Sequence, residues 1–259
     1  QKWTPAYLAT QLGDVQVPVQ DSAVEHDAGS PATRSPEHVS LAAYVRDLEA
    51  GADSHTLPYI RNVFLSEYCP ALLEDVRVPG IAQPNWLLHP SLAPSLRAEW
   101  LNWFELFISP PATRFPHVHV DRDHTHAWLL QVCGRKKVWM WPNEAGSTRK
   151  PEALEVSSSD VLDTFFPGYE PTIGIIEPGD LVFIPEGWWH TAESQSTSIT
   201  LSGNWVEQSN WEAFFDSHFL DQEDLPEGVH AVLRRLRSLV ADHYLSDGVP
   251  GSGPDSVIG

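Results

Sequence analysis

Short β-rich runs occupy the middle of the chain, and apolar positions recur at helical spacing on either side of it. The β-rich runs Trp103–Ile108, His117–Val120, Ala127–Val132, Lys136–Trp141, Ile173–Ile176, Leu181–Ile184 and Ser198–Trp205 are separated by turn residues and predict short strands. So many short strands at such intervals indicate a sandwich or a closed barrel. Ahead of them, Ser40 is followed by Leu41, Ala42, Tyr44, Val45 and Leu48 and closed by Gly51, which predicts a capped amphipathic helix. Pro70, Pro79, Pro84, Pro90 and Pro94 break the stretch 58–101 into short helices and turns. Beyond Trp205 the period lengthens again. Trp211, Phe214, Phe215, His218 and Phe219 share one helix face, and Val232, Leu233, Leu236, Leu239 and Val240 line another within Val229–Tyr244. Ala23–Ser35 reads as a loop, and the Gly-, Ser- and Pro-rich residues from Gly248 read as a mobile tail. The resulting organisation is a helical lead-in over 1–102, a β core over 103–206, C-terminal helices over 207–247 and a tail over 248–259.

Composition narrows the partners. A chain of 259 residues with 42% hydrophobic and 20% charged side chains can bury one substantial core. Its 35 acidic against 16 basic side chains give a net charge of −19, which repels nucleic-acid phosphates and anionic lipids; nucleic acid is not an expected partner. A basic peptide or cationic metabolite would be steered inward, although acidity also serves solubility. Cys69 and Cys133 are the only cysteines, too few for a disulfide framework, so a reducing cytoplasm is the expectation. No apolar run approaches the roughly 18–20 residues that cross a bilayer, and no basic-then-apolar leader opens the sequence, so no membrane association is expected.

The chemistry concentrates in His117-Val-His119-Val-Asp121. Residues two apart on a strand point the same way, so His119 and Asp121 can face one ion. His190, at the end of Gly179-Asp-Leu-Val-Phe-Ile-Pro-Glu-Gly-Trp-Trp-His, is the candidate third ligand once the intervening strands fold back. Two imidazoles and one carboxylate leave three adjacent positions open, the arrangement suited to Fe(II) oxygen chemistry. Zinc accepts the same ligand types, and His117 competes with His119, though only His119 leaves a carboxylate two residues ahead.

These residues resemble the core of the JmjC oxygenases of the cupin superfamily. The resemblance lies in His119-Val-Asp-Arg-Asp-His-Thr-His-Ala-Trp-Leu-Leu-Gln-Val-Cys-Gly-Arg-Lys136 and in Gly179-Asp…Pro185…Gly187-Trp-Trp-His190. It is strongest to the hydroxylase-type members, the jumonji lysyl hydroxylase and factor-inhibiting-HIF. Trp3-Thr-Pro-Ala-Tyr-Leu and Tyr59-Ile-Arg-Asn-Val are similar to the lead-in of such proteins. The resemblance implies a mainly β fold with flanking helices, a double-stranded β-helix or jelly roll. It also implies Fe(II), 2-oxoglutarate and O2, with Lys136 binding the distal carboxylate of 2-oxoglutarate. A barrel lysine beside a metal is costly to bury without an anion, which agrees with that role. Asn204 and Ser202 match positions lining the co-substrate pocket, and Thr113 matches a hydroxyl on the same carboxylate. Relatives often carry an asparagine on the strand after the His-x-Asp turn, where this chain has Leu129 in one register and Ala127 in the other.

Three functions are compatible with this pattern: an oxygenase acting on an amino-acid residue, a peptide or a small metabolite; a cupin-like metalloenzyme that does not use 2-oxoglutarate, in which Lys136 would be dispensable; and an inactive barrel kept as a binding module. Substrate choice is expected in the loops 23–34, 143–159 and 165–171. Most of Trp128, Trp139, Trp141, Trp188 and Trp189 are expected to pack the barrel against its helices. The aromatic face after Trp205 is either core or a dimer seam, and since members of the resembled family often dimerise there, a homodimer through the C-terminal helices is expected.

Overall fold

The structure, a computed structural model, describes residues 2–19, 37–52, 57–90, 104–148, 156, 159–220 and 227–245. The loop 23–35, Trp103 and the tail from Gly248, each assigned above from sequence, lie outside the described residues.

The lead-in opens with α1 (Pro5–Leu12), where the Thr4 side chain accepts from the Tyr7 N–H and Pro5 occupies the first helical position. A hairpin of β1 (Gln16–Val19) and β2 (Glu37–Ser40) leads into α2 (Leu41–Glu49). As expected, the Ser40 hydroxyl caps α2 at the Ala43 N–H and Gly51 follows with a positive φ of 91°. Next come β3 (Ile60–Phe64), the short α3 (Leu65–Tyr68) and three 3-10 turns at Pro70–Asp75, Gly80–Ala82 and Trp86–Leu88. The strand β3 was not expected in the proline-broken stretch. It forms because Ile60 and Val63 insert into a buried layer while the backbone pairs with the next strand, so tertiary pairing overrides a weak local signal.

The core then runs through β4 (Glu105–Ser109), β5 (Thr113–Arg114), β6 (His126–Cys133), β7 (Lys136–Trp141), β8 (Thr172–Ile176), β9 (Leu181–Ile184), β10 (Trp189–Ser194) and β11 (Ser198–Trp205). They form a four-stranded sheet, β5-β10-β7-β8, and a five-stranded sheet, β3-β4-β11-β6-β9, antiparallel throughout. From β4 to β11 the chain passes to the other sheet at every connection except β7 to β8, and this alternation is the expected jelly roll. One expected strand is absent as a named strand: His117 and His119 form isolated bridges instead, that of His119 being to His190. Asp123 and His124 turn the chain sharply beyond it, at φ 57° and 53°.

Register fixes which side chains face inward. On β7, Lys136, Val138 and Met140 point between the sheets, while Trp139 and Trp141 pack outside with Val118, Leu162, Phe165 and Phe166. On the five-stranded sheet, Leu106, Trp128, Ile199 and Leu201 face outward onto α1 and α2. Apolar burial therefore lies mainly outside the barrel, as expected for most of the tryptophans, and the interior is left to polar groups: Lys136, Gln131, His190, Thr200 and Ser202 are all buried.

A third core joins Trp86 and Leu87 to α4 (Trp211–Leu220) and α5 (Glu227–Leu245). Trp211, Phe214 and Phe215 are consumed within the chain there, so those three side chains supply packing rather than a dimer seam. No helix among the described residues is long and apolar enough to cross a membrane.

Candidate metal centre and acid pocket

His119 and His190 are held together by their backbones. The His119 N–H donates to the His190 carbonyl at 3.1 Å and the His190 N–H donates back to the His119 carbonyl at 2.8 Å. Their rings lie 4.2 Å apart between centroids, and the Asp121 carboxylate comes to 3.8 Å from His190 Nε2. The three side chains offer ligand atoms within 4.8 Å of one another. His117 packs edge-on against the His119 ring at 5.3 Å and stands outside that group. Phe115 stacks on the other side of His119 at 4.4 Å and fixes the plane of its ring.

The electrostatics suit a cation. Burial, followed by the charge of His190, holds His119 well below the ordinary histidine range; burial raises the Asp121 carboxyl against the pull of His190. His190 Nδ1 lies 3.1 Å from the Trp188 carbonyl, which assigns the proton there and leaves Nε2 as a lone-pair donor. His119 Nδ1 is buried with no hydrogen-bond partner. An orphaned imidazole nitrogen beside a second imidazole and a desolvated carboxylate is the donor set of a divalent transition ion, which would restore the carboxylate charge.

The centre closes one end of a cavity of about 120 Å³. Pockets for drug-sized ligands start at roughly 300 Å³, so this one suits a small acid rather than a nucleotide or a haem. Lys136, Ser202 and Asn204 line it together with His119, Asp121 and His190; Thr113 does not. Thr113 lies one strand further on, opposite Ser194, which is itself opposite Lys136; its hydroxyl is buried without a partner. Asn204 donates to the Thr125 hydroxyl at 2.9 Å, and Thr125 in turn donates to the Arg122 carbonyl at 3.0 Å, so it braces the turn after Asp121.

Lys136 is a buried cation held largely among apolar groups. It is 3% exposed, and its ammonium sits 5.7 and 5.6 Å from the ring centroids of Tyr59 and Phe107 with no hydrogen bond among the described residues. Desolvation pushes its pKa down to about 7, opposed only by the charge of Glu105. Sequence reasoning missed Tyr59, Glu105, Phe107 and Phe115 in this lining. Glu105 carried a usable signal, a carboxylate inside an apolar run, whereas Tyr59 reaches the cavity only through the unexpected β3 region. Leu129 and Ala127 both line the cavity, so no amide stands at that place on β6.

A jelly-roll barrel enclosing two imidazoles and a carboxylate beside a buried lysine has the layout of a cupin-type site that could hold a metal. Residues 1–211 match the model of the cupin-like domain, and the chain belongs to that family. It is 28% identical over 84% of its length to the mouse (Mus musculus) 2-oxoglutarate and iron-dependent oxygenase JMJD4, covering 52% of that protein. It is also similar to two Arabidopsis thaliana proteins, at 25% identity to lysine-specific demethylase JMJ21 (81% of this chain, 22% of that one) and 24% to arginine-specific demethylase JMJ22 (81% and 40%). These relatives carry the JmjC names that the motifs resemble, and the chain spans about half the length of the JMJD4 protein and less of the other two.

Proposed function

We propose that the chain is an Fe(II)- and 2-oxoglutarate-dependent oxygenase that hydroxylates a C–H bond in an amino-acid residue of a peptide or protein. One observation carries the reading: a cluster of His119, Asp121 and His190 closes one end of a small cavity whose wall holds a buried lysine with no anion of its own except Glu105 nearby. A zinc hydrolase has no use for that lysine, whereas a dicarboxylic keto acid satisfies it. The names of the JMJD4 relatives point to the same pair of cofactors.

In this reading His119, Asp121 and His190 hold the iron, and Lys136 takes the distal carboxylate of the co-substrate, assisted by the hydroxyl of Ser202. Asn204 keeps the Asp121 turn in place through Thr125. Tyr59, Phe107 and Leu129 exclude water from the lysine, which strengthens its ion pair with the acid. Bound together, iron and keto acid supply the oxidation of an unactivated C–H bond by O2, with succinate and CO2 as by-products. Where the oxidised carbon bears nitrogen, hydroxylation leads on to cleavage, the outcome in the names of the two demethylase relatives. A reducing compartment such as the cytoplasm suits ferrous iron and the two free thiols of Cys69 and Cys133.

The test is succinate release from 2-oxoglutarate, assayed with Fe(II) and a peptide library. Release that requires iron and disappears in His190→Ala supports the proposal; release unaffected by His190→Ala contradicts it.

A further inference from the structure

Among the described residues, β8 ends the four-stranded sheet and β9 ends the five-stranded one, joined by the turn through Pro178 and Gly179. Natural sheets blunt such edges with charges, proline or a covering element. β8 reads Thr-Ile-Gly-Ile-Ile, with no charge and no proline, and its first four residues are exposed. Ile173 and Ile175 are 44% and 47% exposed on the outer face, and on the inner face a side chain added at Gly174 would meet nothing within 4 Å. The edge also leads to the metal centre. Thr172 pairs with Met140, and Met140 pairs with His190, so one inward-facing row crosses from the free edge to a metal-site histidine.

The surrounding charge selects the occupant. Glu170 precedes β8, Glu177 and Asp180 follow it, and Asp163 accepts from Trp139, the residue paired with Ile173. The nearby cations are already engaged: Arg135 pairs with Glu177 at 3.1 Å, and Lys137 lies over the Trp139 ring at 4.4 Å. A second copy would bring another chain of net charge −19 against this acidic edge, which disfavours a symmetric pairing of two copies.

The geometry points to β8 as a docking edge for an extended basic polypeptide segment, which adds as a further strand and turns alternate side chains toward the open inner face above Thr172 and Gly174. Main-chain hydrogen bonds to the edge supply affinity, and the carboxylates select the basic sequence. This deepens the proposed oxygenase reading and rests on it for the identity of the segment as substrate.

The experiment uses a fluorescein-labelled peptide of alternating lysine and threonine, its glutamate–threonine counterpart, and a copy of the basic peptide N-methylated at alternate residues. Binding is read by fluorescence anisotropy against wild type and against Ile173→Lys/Ile175→Lys, whose new side chains lie on an exposed face and leave the melting temperature unchanged. Two added like charges weaken the basic peptide about tenfold or more. The expected pattern is salt-sensitive binding of the basic peptide alone, lost on N-methylation and weakened in the double variant. Equal binding of the N-methylated copy, or unchanged affinity in the double variant, overturns the proposal. So does a wild-type dimer that the double variant abolishes without effect on peptide binding, since a second copy then owns the edge. Binding of 2-oxoglutarate in the presence of Fe(II), measured by calorimetry on the same variant, separates this result from the oxygenase reading: it persists whether or not the edge binds peptide, and its loss in wild type contradicts the oxygenase reading instead.

Discussion

His119 and His190, distant in sequence, exchange both backbone hydrogen bonds, so the imidazoles meet because the chain is paired there and not because an ion draws them together. The centre is therefore preorganised, and a metal should bind without refolding the barrel. Fe(II) or a redox-silent substitute at 100 times its dissociation constant stabilises by about 2.7 kcal/mol. For a chain of this size that raises the melting temperature by about 5–10 °C. A chelator reverses the shift. Asp121→Asn, which keeps the shape and removes the charge, should lose it, as differential scanning calorimetry would register.

Lys136 gives a pH prediction of definite sign. In the empty cavity its pKa is about 7, and the distal carboxylate of the co-substrate binds the charged form. Affinity for 2-oxoglutarate should be flat below pH 7 and fall as pH rises through it, by up to about tenfold per unit. Calorimetric titration between pH 6 and 8.5 (about that range) reads this; Lys136→Met should show weak binding with no such slope.

The same lysine costs stability. Its folded pKa lies below the unfolded value of 10.5, so the unfolded chain holds more protons between about 7 and 10.5, and stability rises with pH across that window. The penalty is complete below pH 7. Lys136→Met should therefore raise the melting temperature of the ligand-free protein at neutral pH and below while removing co-substrate binding, as expected where function opposes stability.

Gly134 makes the turn that delivers Lys136. It sits at φ 75°, and an added Cβ would lie 1.9 Å from the Thr197 carbonyl oxygen. Gly134→Ala should cost about 3 kcal/mol or more through strain and displacement of that backbone. Urea unfolding would show the loss.

His126 ties the metal-side loops together. Its Nδ1 accepts from the Glu186 N–H at 2.8 Å, and Nε2 lies 2.9 Å from the Ser209 hydroxyl. Burial lowers its pKa, with Glu207 opposing. The unfolded chain thus takes up a proton before the folded one, and stability present above about pH 6.5 should fall as pH drops toward the depressed folded value. In His126→Gln that part of the acid sensitivity should vanish from melting curves measured between the two.

How far the sequence revealed this molecule depended on the size of each signal. β7, β9 and β11 were legible to the residue because β-branched, aromatic and other apolar residues run through Lys136–Trp141, Leu181–Ile184 and Ser198–Trp205 between turn residues. β5 was not, since Thr113–Arg114 is too short to carry a period, and His117–Val120 imitated a strand with alternation that serves only isolated bridges. Of the site, His119, Asp121, His190 and Lys136 stood out through side-chain chemistry at strand spacing. Tyr59, Phe107 and Phe115 did not, because aromatic residues in apolar runs look the same whether they pack a core or shield an ammonium. Thr113 stands one strand away from the cavity wall, a displacement that no local pattern records.

The central claim is that one cavity binds a ferrous ion and a keto acid together, with Lys136 holding the far end of the acid. Anaerobic titration of Fe(II) and 2-oxoglutarate into the protein tests it most directly, through the weak visible charge-transfer absorption of ferrous ion with a chelating keto acid. The account predicts that this band appears in the wild type and is greatly reduced in Lys136→Ala at the same concentrations. A band of equal strength in Lys136→Ala, or none in the wild type, would contradict it.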